Sequence, residues 1–181
     1  MKLETDIIEQ EKQKTFTELR DNEDLSGDEN GRVDVLDHRF NIMGADYFMA
    51  EILEMLAEVY GEGAGGILNN TGRGYAEDLV DLLQVSQDSQ QAFGQYLGML
   101  KFLGYSDIHV EEDGIIVPSS PTAESHLEQD HEEKKTCYFL TGMFAGGLEY
   151  LFDEEVLVQE ESCKAAGDSE CVFRIKVKQD E

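Results

Sequence analysis

Cys163-Lys164-Ala165-Ala166-Gly167-Asp168-Ser169-Glu170-Cys171, leading into Val172-Phe173-Arg174-Ile175-Lys176-Val177, follows the apolar run Val156-Leu157-Val158. Two β-rich runs on either side of the Gly167-Asp168 turn predict an antiparallel hairpin. All three cysteines lie in the last fifty residues: Cys137 is 26 residues before Cys163, and Glu160 is three before it. Three thiolates and one carboxylate form a donor set that zinc accepts in a tetrahedron. Four protein ligands leave no open position, so such a zinc is structural and pins the hairpin to the helix that Cys137 begins. On spacing alone a second reading stands beside it, three buried structural thiols, because free cysteine is among the most buried residue types. Glu161 is a rival to Glu160 as the fourth ligand.

Working outward, Cys137 to Phe152 reads as a glycine-rich apolar helix in which Gly142, Gly146 and Gly147 allow close packing. The charged run Glu124 to Lys135 reads as a solvated helix or a loop. Ile108-His109-Val110 and Ile115-Ile116-Val117, split by Glu111-Glu112-Asp113-Gly114, read as another hairpin. Three helices precede it, at Ile42 to Tyr60, Ala64 to Gln84 and Asp88 to Leu103. The first is expected to face inward with Phe48, Ile52, Met55, Leu56 and Val59. The second does so with Ile67, Leu68, Tyr75, Leu79, Leu82 and Leu83, and the third with Phe93, Leu97, Leu100 and Leu103. The predicted fold class is α+β, helices packed on an antiparallel sheet in a single domain with a zinc-pinned C-terminal hairpin. Residues 33–178 form that domain, and residues 1–32 an acidic disordered N-terminal tail. Asn22, Asp24, Ser26 and Gly27 imitate the opening of a calcium loop. The twelfth position would be Val33, where a glutamate is required, which excludes that reading.

Forty acidic residues against fourteen basic ones give a net charge of -26. Such a surface repels phosphates and anionic lipids, so direct nucleic-acid binding is not expected. Acidic residues also stud the helices, as at Glu51, Glu54, Glu58, Glu77, Asp78 and Asp81, which fits a halophile with a high-salt cytoplasm. No apolar run reaches the ~20 residues of a membrane span, and the start lacks a signal-peptide pattern. A cytoplasmic protein is expected.

The four histidines, 38, 109, 126 and 131, do not cluster with the cysteines, and His126 and His131 read as exposed. Gly72-Arg73-Gly74 has no preceding strand and no following Lys-Ser or Lys-Thr, so a packing point is preferred to a phosphate loop. Arg73 is one of five arginines on a very acidic chain. No catalytic constellation is visible, and an enzyme is not expected.

Ser120-Pro121-Thr122-Ala123, Cys137, Thr141-Gly142, Ala145-Gly146-Gly147-Leu148-Glu149, Leu151-Phe152, Glu160, Cys163, Gly167-Asp168, Cys171 and Phe173 together resemble the 4-vinyl-reductase-like domain. This family comprises small-molecule or hydrocarbon-binding modules, found alone or as sensor parts of transcription activators. The resemblance spans roughly residues 33 to 178 and is strongest after Ser119. Metal-holding members use Cys, Glu, Cys and Cys at separations of 23, 3 and 8, which Cys137, Glu160, Cys163 and Cys171 reproduce; this favours Glu160 over Glu161. The resemblance implies a stand-alone, non-enzymatic sensor or carrier of an apolar small molecule: a hydrocarbon, a lipid-like compound or a tetrapyrrole derivative. A pocket between helices and sheet would use Phe48, Tyr75, Phe93, Tyr96, Met143 and Phe144, each of which also reads as plain core. The chain has no Trp, which weighs against a phenol-like effector. Family habit and apolar helix faces imply a homodimer. The alternatives are a dimeric scaffold module of trafficking-subunit-like fold, and an accessory factor in tetrapyrrole vinyl reduction.

Overall fold

A computed structural model describes residues 1–21, 25–27, 33–36, 38–40, 45–105, 107–118, 120–128 and 133–177. Its first element corrects the expected disordered tail: residues Thr5–Asp21 are a helix, α1. The face it buries is Ile8, Lys12, Thr15 and Leu19, at the spacing of one helical stripe. Two of the four are polar, so hydrophobicity alone does not mark the stripe. Lys12 can be buried because its Nζ pairs with Glu9 and donates to the carbonyl of Ile108. A small antiparallel sheet follows, β1 (Leu25–Gly27), β2 (Val33–Val35) and β3 (His38–Phe40).

Three helices come next, α2 (Ala45–Tyr60), α3 (Gly63–Leu83) and α4 (Ser89–Phe102), close to the predicted ranges. The Asp88 side chain caps α4 by accepting from the amide of Gln91 at 3.0 Å. Helix α1 packs on α4 so closely that a Cβ at Gly94 would lie 2.6 Å from the Ile8 carbonyl oxygen. One at Gly98 would lie 2.7 Å from that of Lys12. Strands β4 (His109–Glu111) and β5 (Gly114–Val117) form the first predicted hairpin. The side chain of Glu9 accepts from the Val110 amide at 2.9 Å, which fastens α1 to β4.

The charged run after Ser120 begins with a helix, α5 (Pro121–Glu128), that is not solvated all round: it buries Ala123, Ser125 and His126. Helix α6 (Tyr138–Phe152) is buried from Leu140 to Leu148. It lies against α3 at Gly142, where a Cβ would collide with the Asn69 carbonyl. Strands β6 (Val156–Ser162) and β7 (Cys171–Val177) close the chain, in an antiparallel sheet of order β4-β5-β7-β6. Val110, Ile115, Val117, Val158 and Phe173 on the sheet share one core with Phe93, Leu97 and Leu100 of α4 and Met143, Phe144 and Leu148 of α6. The fold is α+β. Among the described residues no helix is long and apolar enough to cross a membrane.

Candidate metal centre

Strand β6 alternates buried and exposed side chains from Val156 to Glu160. Strict period-two alternation would then send Cys163 to the face opposite Glu160. The pairing with β7 is irregular between Glu160 and Ser162, and this break turns both residues inward. Beyond Cys163 the chain makes a 3-10 turn, Lys164–Ala166, and reverses at Gly167, whose φ of 89° suits glycine. Asp168 holds the turn: its Oδ2 accepts from the Cys163 amide at 2.8 Å. Cys171 opens β7 opposite Val117, and Cys137 immediately precedes α6.

The four predicted ligands therefore meet, with one donor atom from each within 4.8 Å of all the others. Cys137 Sγ is 3.7 Å from Cys171 Sγ and 3.9 Å from Cys163 Sγ. Sulfurs bound at 2.3 Å to one tetrahedral ion would be about 3.8 Å apart. All four residues are buried, Glu160 at 7% exposure and the cysteines at 1% or less. Neither Glu160 carboxylate oxygen has a hydrogen-bond partner of good geometry among the described residues. A buried carboxylate left in that state is costly, and a cation is the partner that would satisfy it. The residues fit a metal ion.

The electrostatics agree. Burial, with the Cys163 charge close by, pushes the Glu160 carboxyl up to about 8. The thiol of Cys163 is drawn far below the ordinary range by hydrogen bonds from Cys137 and Cys171, while Cys137, donating to Cys163, is raised well above it. Without a cation the cluster thus concentrates its charge on one sulfur. Metal binding would demand that the remaining donors give up their protons. Further groups orient the donors: Cys137 Sγ donates to Ser120 Oγ at 3.3 Å, the Lys164 amide approaches Cys171 Sγ at 3.4 Å, and Thr136 Oγ1 lies 3.8 Å from Cys163 Sγ. Lys135 Nζ donates to the Glu160 carbonyl at 2.8 Å. Sequence reasoning reads Asp168 only as a turn residue. Its position five residues after Cys163, next to a glycine, was the available signal.

The other predicted site residues do not form one group. Phe93, Tyr96, Met143 and Phe144 are fully buried and lie in one core cluster. Phe93 stacks on Tyr96 at 6.2 Å, Phe144 meets Phe173 edge-on at 5.0 Å, and Tyr96 Oη donates to the Met143 carbonyl at 3.1 Å. Tyr75 is half-buried against Phe139. Phe48 is 41% exposed and, with Met55 and Val59, corrects the inward reading of α2. His126 is likewise corrected: it is fully buried, with Nδ1 3.8 Å from Glu54 Oε1. His131 lies outside the described residues. Gly72 is a packing point, as expected, against the Phe139 carbonyl. Arg73 pairs with Glu149 and donates from Nε to Asn69 at 3.2 Å. An open, polar cleft of about 640 Å³ adjoins that pair, bounded by Asn69, Asn70 and the residues from Asp153 to Leu157.

Comparison with known proteins meets this geometry at the same place. Residues 123–177 match the family model of the 4-vinyl-reductase domain. That matched segment holds all four clustered donors. Two uncharacterized proteins of Methanocaldococcus jannaschii are similar. One is 26% identical over 82 residues, 43% of this chain and 51% of that protein. The other is 40% identical over 45 residues, 25% of each. The matches therefore span about half or less of the length of these relatives. Among solved structures, the phenol-responsive sensory domain of the transcription activator PoxR, with phenol, has a TM-score of 0.73 at 13% identity, covering 91% of this chain and 89% of that one. A vinyl-4-reductase family protein from Methanocaldococcus jannaschii has a TM-score of 0.54 at 21% identity, covering 77% and 85%. A trafficking protein particle complex subunit 3 from Naegleria fowleri, covalently bound to palmitic acid, has a TM-score of 0.53 at 16% identity, covering 72% and 91%. These likenesses are of fold.

Proposed function

We propose that this chain is a small-molecule-binding module, a sensor or carrier of an apolar ligand, whose C-terminal hairpin is held by a structural zinc. The observation that carries the binding role is the fold likeness to a ligand-responsive sensory domain over nearly the whole chain. The zinc is supported by the donor set. Thiolates favour a soft or borderline metal, four ligands without an open position suit a structural site, and a bound ion would cross-link α6 to both strands of the hairpin. When bound it supplies positive charge and cross-linking. The chain's own residues do the rest: Asp168 and Ser120 orient donors, and the core excludes water.

The ligand site is placed at the junction of α4, α6 and β7, where Phe93, Tyr96, Met143 and Phe144 stand. These side chains pack on one another, so admitting a ligand requires them to rotate apart. Met143 has the torsional freedom for this. All three cysteines belong to the cluster, so a covalent acyl link through a thiol would dismantle it. A lipid-like ligand would therefore be held without a covalent bond. Native mass spectrometry of the purified protein tests the reading. The expected spectrum shows one zinc and an organic adduct that Phe144→Ala changes or releases. A zinc-loaded chain that takes up no apolar compound from a panel of hydrocarbons, fatty acids and tetrapyrroles would contradict ligand binding. A specific observation favours an interaction role as a second reading, namely the exposed apolar side chains of α2.

A further inference from the structure

Helix α2 is apolar over more of its circumference than its neighbours cover. It packs on α5 and α3 with Leu53 buried. Phe48, Met55 and Val59, spaced to lie on one face of the helix, are 41%, 57% and 69% exposed. Ile67, in the first half of α3, adds a further exposed apolar side chain at 39%. Exposed Glu51, Glu58 and Glu62 stand on the adjoining helical sector. From Ala45 to Gly72 the chain has no lysine or arginine. Contiguous apolar surface with a charged rim of one sign marks an interaction site more often than a bare solvent face.

We propose that this outer face of α2 docks a basic amphipathic helix of a partner protein. Its apolar residues would seat on Phe48, Met55 and Val59, and its lysines or arginines would pair with Glu51, Glu58 and Glu62. Charge selects this occupant. A second copy would bring the same carboxylates to the rim and no cation to meet them, and an anionic membrane would be repelled for the same reason. The helix is also wired to the metal centre. Glu54 Oε1 is 2.7 Å from Lys134 Nζ, in the segment that enters Cys137, and the Lys134 amide donates to the carbonyl of Ala165 in the metal loop. The docking proposal goes beyond the ligand reading and does not depend on which ligand is bound.

The test uses the full chain and a fluorescent synthetic peptide of leucine and lysine in amphipathic helical order. Binding is followed by anisotropy in the lowest KCl concentration that keeps the chain folded. One peptide per chain is expected, and a leucine–glutamate peptide of the same apolar order should not bind. Replacing both Met55→Glu and Val59→Glu should weaken binding at least ~tenfold. The charge-swapped variant Glu51→Lys with Glu58→Lys keeps the apolar face; it should lose the lysine peptide and accept the glutamate one. Unchanged binding in both variants would overturn the proposal by placing the peptide elsewhere on the acidic surface. Self-association of the wild type that Met55→Glu abolishes would overturn it in favour of a second copy. Wild-type binding to anionic vesicles that is lost in the same variant would overturn it in favour of a membrane.

Discussion

Glu160 is the residue on which the cluster turns, because a carboxylate buried with no hydrogen-bond partner of good geometry is tolerable only if it keeps its proton or meets a cation. In the metal-free chain burial holds its carboxyl at about 8, above the ordinary carboxylate range. It therefore carries a proton at neutral pH that a metal must displace. Protons compete with the ion, so binding weakens as the pH falls, by about tenfold per unit for each proton displaced. Competition with a chromophoric chelator between pH 8 and pH 6 reads this directly; affinity independent of pH would contradict it. Asp168→Ala frees the Cys163 amide and should cost about 10–100-fold in zinc affinity; wild-type affinity in the same chelator titration would show the turn to be dispensable. The four ligands were legible in the sequence because chemistry and spacing coincide at Cys137, Glu160, Cys163 and Cys171. Asp168 and Thr136 were not, because a side chain that holds a donor in place leaves no distinctive spacing. His126 escaped notice because its neighbours in sequence are charged, and burial is decided by what α5 packs on.

Helix α1 shows how tertiary contacts replace apolar pattern. Its inner stripe includes Lys12 and Thr15, and it is held by a lysine–carbonyl bond, an ion pair and close approach to two glycines of α4. Gly98→Ala separates this arrangement from a loose tail by sign. In a helix with a free face the change would stabilise by about 1 kcal/mol. Here the added methyl meets the Lys12 carbonyl, and a loss of about 1–3 kcal/mol is expected. Chemical denaturation measures it, and a stabilised variant would argue that α1 does not dock. Helices α3, α4 and α6 were legible because Leu79, Leu97 and Met143 recur at helical spacing with small residues between them. The outer face of α2 was misread for a related reason. Periodicity reveals that Phe48, Met55 and Val59 share a face, and says nothing about whether another element covers it.

At the scale of the whole molecule, a net charge of -26 on 181 residues places self-repulsion against a core of ordinary composition. Screening lengths fall to about 3 Å in 1 M salt. The melting temperature should therefore climb with KCl by at least about 5 °C over the molar range; insensitivity to salt would show that the acidic surface does not limit stability. The hairpin, α6 and the sheet meet at the cysteine cluster, so the metal and the fold should be lost together. Cys163→Ser is expected to lose the ion and to unfold at lower temperature or denaturant, by several kcal/mol. The most direct measurement is metal content by inductively coupled plasma mass spectrometry, on wild type and Cys163→Ser purified side by side from zinc-supplemented cultures. One zinc per wild-type chain and none in the variant is the predicted result. A folded wild-type chain without stoichiometric metal would contradict the claim that the cluster is a metal centre holding the fold.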